Sequence, residues 1–210
     1  MTTRGRFITV EGGEGTGKST LIRSLAEALE ADGNSLLVTR EPGGTPLAEE
    51  VRALVLSPPE NEHWSALAEA LLINAARADH VEKKILPALK AGEWVLCDRF
   101  ADSTLVYQGA GGVSEDVLLA MQAEVTRKAR PDLTLVLDGP VDKLLGRRAQ
   151  RGTSDVFEAR PNSFHEEVRA GFLKIAEREP GRCVIIDALQ TPAAMLKDAR
   201  RAVRERLVAA

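Results

Sequence analysis

Between a β-prone run at residues 7–10 (Phe-Ile-Thr-Val) and an amphipathic stretch that begins at Ser19 lies Gly12-Gly-Glu-Gly-Thr-Gly-Lys18-Ser19. No other part of the chain constrains its fold as much. Glycines let the backbone curl with its N–H groups pointing inward, and a helix starting there adds positive potential at its N-terminus. Leu21, Ile22, Leu25, Ala26 and Leu29 follow at helical spacing. The pattern G-x-x-x-x-G-K-[ST] in a strand–loop–helix setting is a phosphate-binding loop. Gly12, Gly13, Glu14, Gly15, Thr16, Gly17, Lys18, Ser19 and Thr20 are thus expected to hold a nucleoside triphosphate. Lys18 would reach the β- and γ-phosphates, and the Ser19 hydroxyl would ligate Mg²⁺.

The rest of the chain alternates in the same way. Strand-like runs lie at 7–10, 35–39, 94–97, 133–137 and 183–186, several of them almost continuously apolar, as suits parallel strands buried on both faces. Helical patterns lie at 19–30, 47–56, 64–89, 114–127, 141–150, 163–177 and 191–207, with Pro87 expected to bend or divide the third. The expected fold is α/β: a P-loop NTPase-type, doubly wound, parallel five-stranded sheet flanked by helices, as one domain over 1–210. In such sheets ligands bind beyond the carboxyl ends of the strands. Four of those exits carry polar chemistry: the phosphate loop, the stretch from Thr39 to Thr45, the pair Asp98-Arg99, and Asp138. Asp98 directly follows a buried run, the place for a carboxylate near Mg²⁺.

A net charge of -3 provides no overall basic field for nucleic acid, and 4% aromatic residues leave few stacking platforms for a single strand. Cys97 and Cys183 lack metal-ligand spacing and flank apolar runs, so buried reduced thiols in a cytoplasmic protein are expected. No apolar stretch approaches membrane-spanning length, and the opening Met-Thr-Thr-Arg-Gly-Arg lacks the apolar core of a signal peptide.

The segments EGGEGTGKST (11–20), TREPGGTPLAEEVR (39–52), ALLINAARADHV (70–81), DRFADSTLVYQG (98–109), RPDLTLVLD (130–138) and RRAQRG (147–152) together resemble thymidylate kinase. The resemblance spans nearly the whole length, and the 98–109 block discriminates far better than the phosphate loop. It implies a nucleoside monophosphate kinase-like fold, ATP and dTMP as substrates, Mg²⁺ as cofactor, and a homodimer. Glu14 would hold the sugar 3′-hydroxyl of dTMP. Arg40, Glu41, Pro42 and Arg52 would position the acceptor phosphate, with Arg99 between the two phosphates, where a planar guanidinium can engage both. Arg77 would reach the thymine edge, Ser103, Thr104 and Gln108 would wall the base, and Tyr107 would lie against the deoxyribose. Lys18, Arg99, Arg148 and Arg151 would carry catalysis, the last two from a basic lid over about 147–160 of the bacterial form, and Ser19 and Asp98 would hold the metal. A kinase for another nucleoside monophosphate is the nearest alternative.

The chain departs from the family pattern in two places. Ile73 stands where phenylalanine is usual, followed by Asn74 in place of a small apolar residue, which predicts weaker dTMP binding by about 0.5–1.5 kcal/mol of lost stacking. Val156 replaces an arginine common in bacterial relatives, leaving the lid charge to Arg147, Arg148 and Arg151.

Overall fold

A computed structural model describes residues 4–60, 62–149, 156–157 and 159–208. Among them five strands, β1 (Phe7–Gly12), β2 (Leu36–Arg40), β3 (Trp94–Asp98), β4 (Leu133–Asp138) and β5 (Cys183–Asp187), form one parallel sheet in the order β2-β3-β1-β4-β5. The helices are α1 (Lys18–Ala31), α2 (Pro46–Leu56), α3 (Ala66–His80), α4 (Leu86–Lys90), α5 (Ala101–Ala110), α6 (Glu115–Thr126), α7 (Val141–Ala149), α8 (Asn162–Arg178) and α9 (Pro192–Val203). None of these helices is long and apolar enough to cross a membrane.

β1 lies at the centre and is buried along its whole length. Strand periodicity sorts its side chains between two cores. Ile8 and Val10 join Leu135 and Leu137 against Leu21 and Leu25 of α1 and Met195 and Ala199 of α9. Phe7 packs on the other face with Val95, Cys97 and Phe100. Glu11 shares the parity of Phe7 and therefore points toward α5. Register then aligns the exits, because Asp98 pairs with Val10 on one side and Arg40 on the other.

The 64–89 pattern is divided as Pro87 requires. A π-helical turn, Val81–Ile85, separates α3 from α4, and the Leu86 amide bonds to the Val81 carbonyl one residue before the proline ring. α5 has no counterpart among the helical patterns read from the sequence. Asp102, Thr104 and Gln108 are buried along with Val106 and Tyr107, so the helix carries no polar stripe to betray its period. It packs closely on α8, where a Cβ on Gly171 would stand 3.1 Å from both Val106 methyl carbons.

Candidate active site

The phosphate loop leaves β1 in a conformation closed to side chains. Gly12 has φ 135°, and a Cβ there would lie 2.5 Å from the Leu137 carbonyl oxygen. Gly17 at φ 90° opens α1. Lys18 folds back over the loop, its Nζ donating to the carbonyls of Gly12 at 3.0 Å and Gly13 at 2.8 Å. Burial, and then Arg99, push its ammonium below the usual lysine value, while Glu14 and Asp98 oppose them.

Arg99 connects this loop to α5. It sits at φ 65°, a left-handed conformation that is costly for a non-glycine residue. Its Nη1 donates to the Gly12 carbonyl at 3.1 Å and to Ser103 Oγ at 3.2 Å. Its Nη2 donates to Glu14 Oε1 at 2.6 Å and to the Tyr107 hydroxyl at 2.9 Å. Burial works against its charge, yet Tyr107, Glu14, Asp98 and Glu11 hold the guanidinium firmly protonated. Burial would raise Glu14 too, but Arg99, Lys18 and the Tyr107 hydroxyl bring that carboxyl down to about 2. Tyr107 donates to Glu14 Oε1 at 2.8 Å and meets Phe157, Phe164 and Phe172 edge-on. Its hydroxyl therefore also orders the arginine and the acidic loop residue.

All twelve residues that the resemblance assigns to the acceptor line one cavity of about 310 Å³ with Gly15, Thr16, Gly17, Lys18, Ser19 and Asp98. Gly12, Gly13 and Thr20 lie outside its wall. Arg40 and Arg52 flank the outer part, Arg40 bonded to Glu49 at 3.0 Å and Arg52 to the Pro42 carbonyl at 2.9 Å. Burial, followed by the repulsion of Arg40, lowers the Arg52 value. The Glu41–Pro42 peptide bond is cis.

Glu41 is buried between two cationic or imidazole partners. It accepts from Arg77 Nε at 2.6 Å, and its other oxygen lies 2.9 Å from His80 Nδ1, whose Nε2 is 2.7 Å from Thr39 Oγ1. Arg77 is 1% exposed and also donates to Asn74 Oδ1, the Phe100 carbonyl and Thr104 Oγ1 at 3.3, 3.1 and 2.9 Å. Four hydrogen bonds leave one of its five N–H donors, on Nη1, for a ligand. Asn74 is held internally, its amide donating to the Ala70 carbonyl at 2.8 Å.

Several residues of the site escape the sequence reading. Glu11 is fully buried and accepts from the Phe100 amide at 2.7 Å and from Ser103 Oγ at 2.6 Å. Burial and then Asp102 push its carboxyl up to about 7, against Ser103, Arg99 and the Phe100 amide. A carboxyl at an inward position of a buried strand is the signal that points to it. Leu56, Phe100 and Phe157 also line the cavity, and Glu69 lies behind Gln108. Phe157 and Ile73 share one apolar cluster, so an aromatic ring is present at this end despite the isoleucine.

Asp138, at the fourth strand exit, stands apart from this cavity. It receives a bidentate pair from Arg169 at 2.8 and 3.1 Å and lines a smaller cleft behind the loop. Arg147 and Arg148 belong to α7, whose Arg147 and Arg148 side chains, like Arg151 and the lid positions 150–155 and 158, lie outside the described residues. Asp98 Oδ1 is buried without a hydrogen-bond partner, and the exposed Ser19 lines the same cavity. One carboxylate and one hydroxyl beside a phosphate cradle are the kind of donors that a Mg²⁺ shared with substrate phosphates takes.

The family model described as Thymidylate kinase matches residues 10–199. A thymidylate kinase of Bradyrhizobium sp. (strain ORS 278) is 53% identical over 211 aligned positions, covering 99% of this chain and 93% of the relative. One from Alcanivorax borkumensis is 46% identical over 202, covering 96% and 97%. The solved thymidylate kinase structure from Ehrlichia chaffeensis superposes with a TM-score of 0.76 at 32% identity, covering 95% of this chain and 99% of that one.

Proposed function

The chain belongs to the thymidylate kinase family, and from that membership we propose how its own residues move the γ-phosphoryl group of ATP to dTMP, giving dTDP and ADP. The observation that carries the reading is the position of Arg99. One guanidinium touches Gly12 and Glu14 of the phosphate loop and Ser103 and Tyr107 of α5, inside the cavity that Lys18 also lines.

ATP lies along the loop from Gly12 to Thr20, with Lys18 on its outer phosphates. The dTMP phosphate meets Arg40 and Arg52, with Glu41 and Pro42 shaping the turn between them. Arg99 lies where donor and acceptor phosphates converge and exchanges its internal partners for phosphate oxygens. Glu14 and Tyr107 face the deoxyribose, and Arg77, Ser103, Thr104, Gln108 and Ile73 enclose the base. Transfer is in line and direct. Its rate comes from positioning and from cationic charge around the migrating group, since the protein has little covalent chemistry to perform. The acceptor phosphate is already ionised near neutral pH, its second pKa being about 6, so no general base is needed. Mg²⁺, held by Asp98 and Ser19, supplies further charge neutralisation when bound. Arg148 and Arg151 of a lid over about 147–160 add cationic charge and exclude water.

The protein acts as a single domain over 1–210 and as a homodimer. Exposed Leu67 and Leu71, one turn apart on α3, and Val117 and Leu119 on the adjoining α6 support a second copy docking there. Two buried, unpaired cysteines fit a cytoplasmic location.

A coupled ADP-release assay with ATP and Mg²⁺ across dTMP, dUMP, dCMP, dGMP and UMP tests the reading. It should show dTMP preferred, and preference for any other acceptor would overturn the substrate assignment.

A further inference from the structure

Gln108 of α5 is 1% exposed and forms part of the cavity wall. Its amide is used at one end only. Nε2 donates to Glu69 Oε2 at 3.3 Å, whereas Oε1 is buried with no hydrogen-bond partner. The two ends of an amide have opposite hydrogen-bonding sense, and an ionised carboxylate accepts only. Glu69 is therefore satisfied by the NH₂ end and would repel the carbonyl end.

Glu69 is itself anchored. It is 4% exposed on α3, and its Oε1 accepts from Arg160 Nη2 at 3.0 Å. The Arg160 guanidinium lies over the rings of Phe157 and Phe164 at 5.1 and 4.7 Å. Burial pushes the Glu69 carboxyl up, and Arg160 together with the Gln108 amide favours its ionised form.

We propose that Glu69, anchored by Arg160, is a specificity-determining positioning residue that fixes the Gln108 amide with its carbonyl oxygen offered to the base. The inference rests on the reading above that Gln108 lies at the base end of the cavity. An oriented acceptor suits a pyrimidine whose N3 carries hydrogen, as in thymine. Against cytosine, whose N3 is itself an acceptor, two lone pairs would meet with no donor between them. Without Glu69 the amide can turn over and present Nε2, which a cytosine N3 accepts. Discrimination then comes from the residue behind the contact as much as from the contact itself.

The test compares kcat/KM for dTMP and 5-methyl-dCMP, which share the methyl group and sugar, in the wild type and in Glu69→Gln. The variant should lose about tenfold on dTMP, mainly through KM, and narrow the dTMP to 5-methyl-dCMP ratio by about tenfold or more, with KM for ATP unchanged. Arg160→Gln alters a side chain 26% exposed, keeps an amide that can still donate to Glu69, and should narrow the ratio several-fold in the same direction. A ratio unchanged in both variants, or equal losses on both acceptors, would overturn the inference while leaving the substrate assignment intact. A wild type without preference for dTMP would overturn both.

Discussion

Glu11 of β1 and Ser103 of α5 are joined by a 2.6 Å hydrogen bond, the second oxygen of the same carboxyl taking the Phe100 amide at 2.7 Å. α5 has no side-chain cap of its own at that end, so β1 supplies one from outside the helix. Ser103 in turn accepts from Arg99 Nη1, and the carboxyl thus fixes the turn that carries Arg99.

This buried cap has a pH signature. The Glu11 carboxyl stands at about 7 instead of its ordinary 4.5, so the folded state binds more protons than the unfolded state between those values. Its contribution to stability is fully present below about pH 4.5 and is lost as pH rises toward 7, by roughly 2–3 kcal/mol. Urea denaturation of Glu11→Gln and wild type across pH 4.5–8 should show the wild type losing stability relative to the variant over this window. A pH-independent difference between the two would contradict the cap's titration.

Arg99→Ala removes the guanidinium shared by the loop and α5. Turnover should fall about a thousandfold or more, because a cation at the transferring group is lost, while ATP affinity changes only a few-fold. Steady-state kinetics with a separate nucleotide-binding titration separates the two effects. Near-normal turnover would show that Arg99 does not contact the reacting phosphates.

Behind the site, Arg182 clamps two acids. It donates to Asp102 at 2.7 and 2.9 Å, to Glu179 at 2.8 and 2.9 Å, and to Thr134 Oγ1 at 2.7 Å. Arg182→Met leaves Asp102 as an unpaired carboxylate near Glu11, which should cost about 3–5 kcal/mol at pH 7.5. Glu179 is held at about 2, first by Arg182, against burial, with Arg130 helping, so its stabilisation is present above its ordinary 4.5 and lost as pH falls toward 2. That part is small, because Glu179 is 35% exposed and solvent screens it. The variant should therefore flatten the acid limb of the stability curve slightly while lowering the plateau. A plateau within about 1 kcal/mol of wild type would place the clamp among surface pairs.

How much of this was legible depends on where the information lies. Strand-like runs, several of them almost continuously apolar, marked all five strands, and the glycine-rich turn after β1 marked the loop, since both are local patterns. α5 was illegible as a helix because its polar side chains are buried against partners far away in sequence: Asp102 on Arg182, Thr104 on Arg77, Gln108 on Glu69. The same reason hid Glu11 and Glu69, whose roles exist only once α3, α5 and β1 are brought together. Arg77 shows the opposite limit. The family resemblance implied a base contact for it, but Glu41, Asn74, Phe100 and Thr104 take four of its five donors, so it also pins the structure around the cavity.

Ile73 offers the last test, because it bears on affinity rather than chemistry. It is 7% exposed, lines the cavity, and packs in the cluster that holds Tyr107, Phe157 and Phe164. Ile73→Phe adds a ring that can extend into the cavity and stack on a pyrimidine, a gain of about 0.5–1.5 kcal/mol, or roughly two- to tenfold in KM for dTMP. The larger side chain also crowds the cluster, which should lower stability by about 1–3 kcal/mol. Kinetics and thermal denaturation on the same variant read these effects separately. A fall in KM with kcat preserved would establish that the isoleucine costs stacking. An unchanged KM with the stability loss present would mean that Phe157 already provides the aromatic wall, and that the base does not rest on position 73.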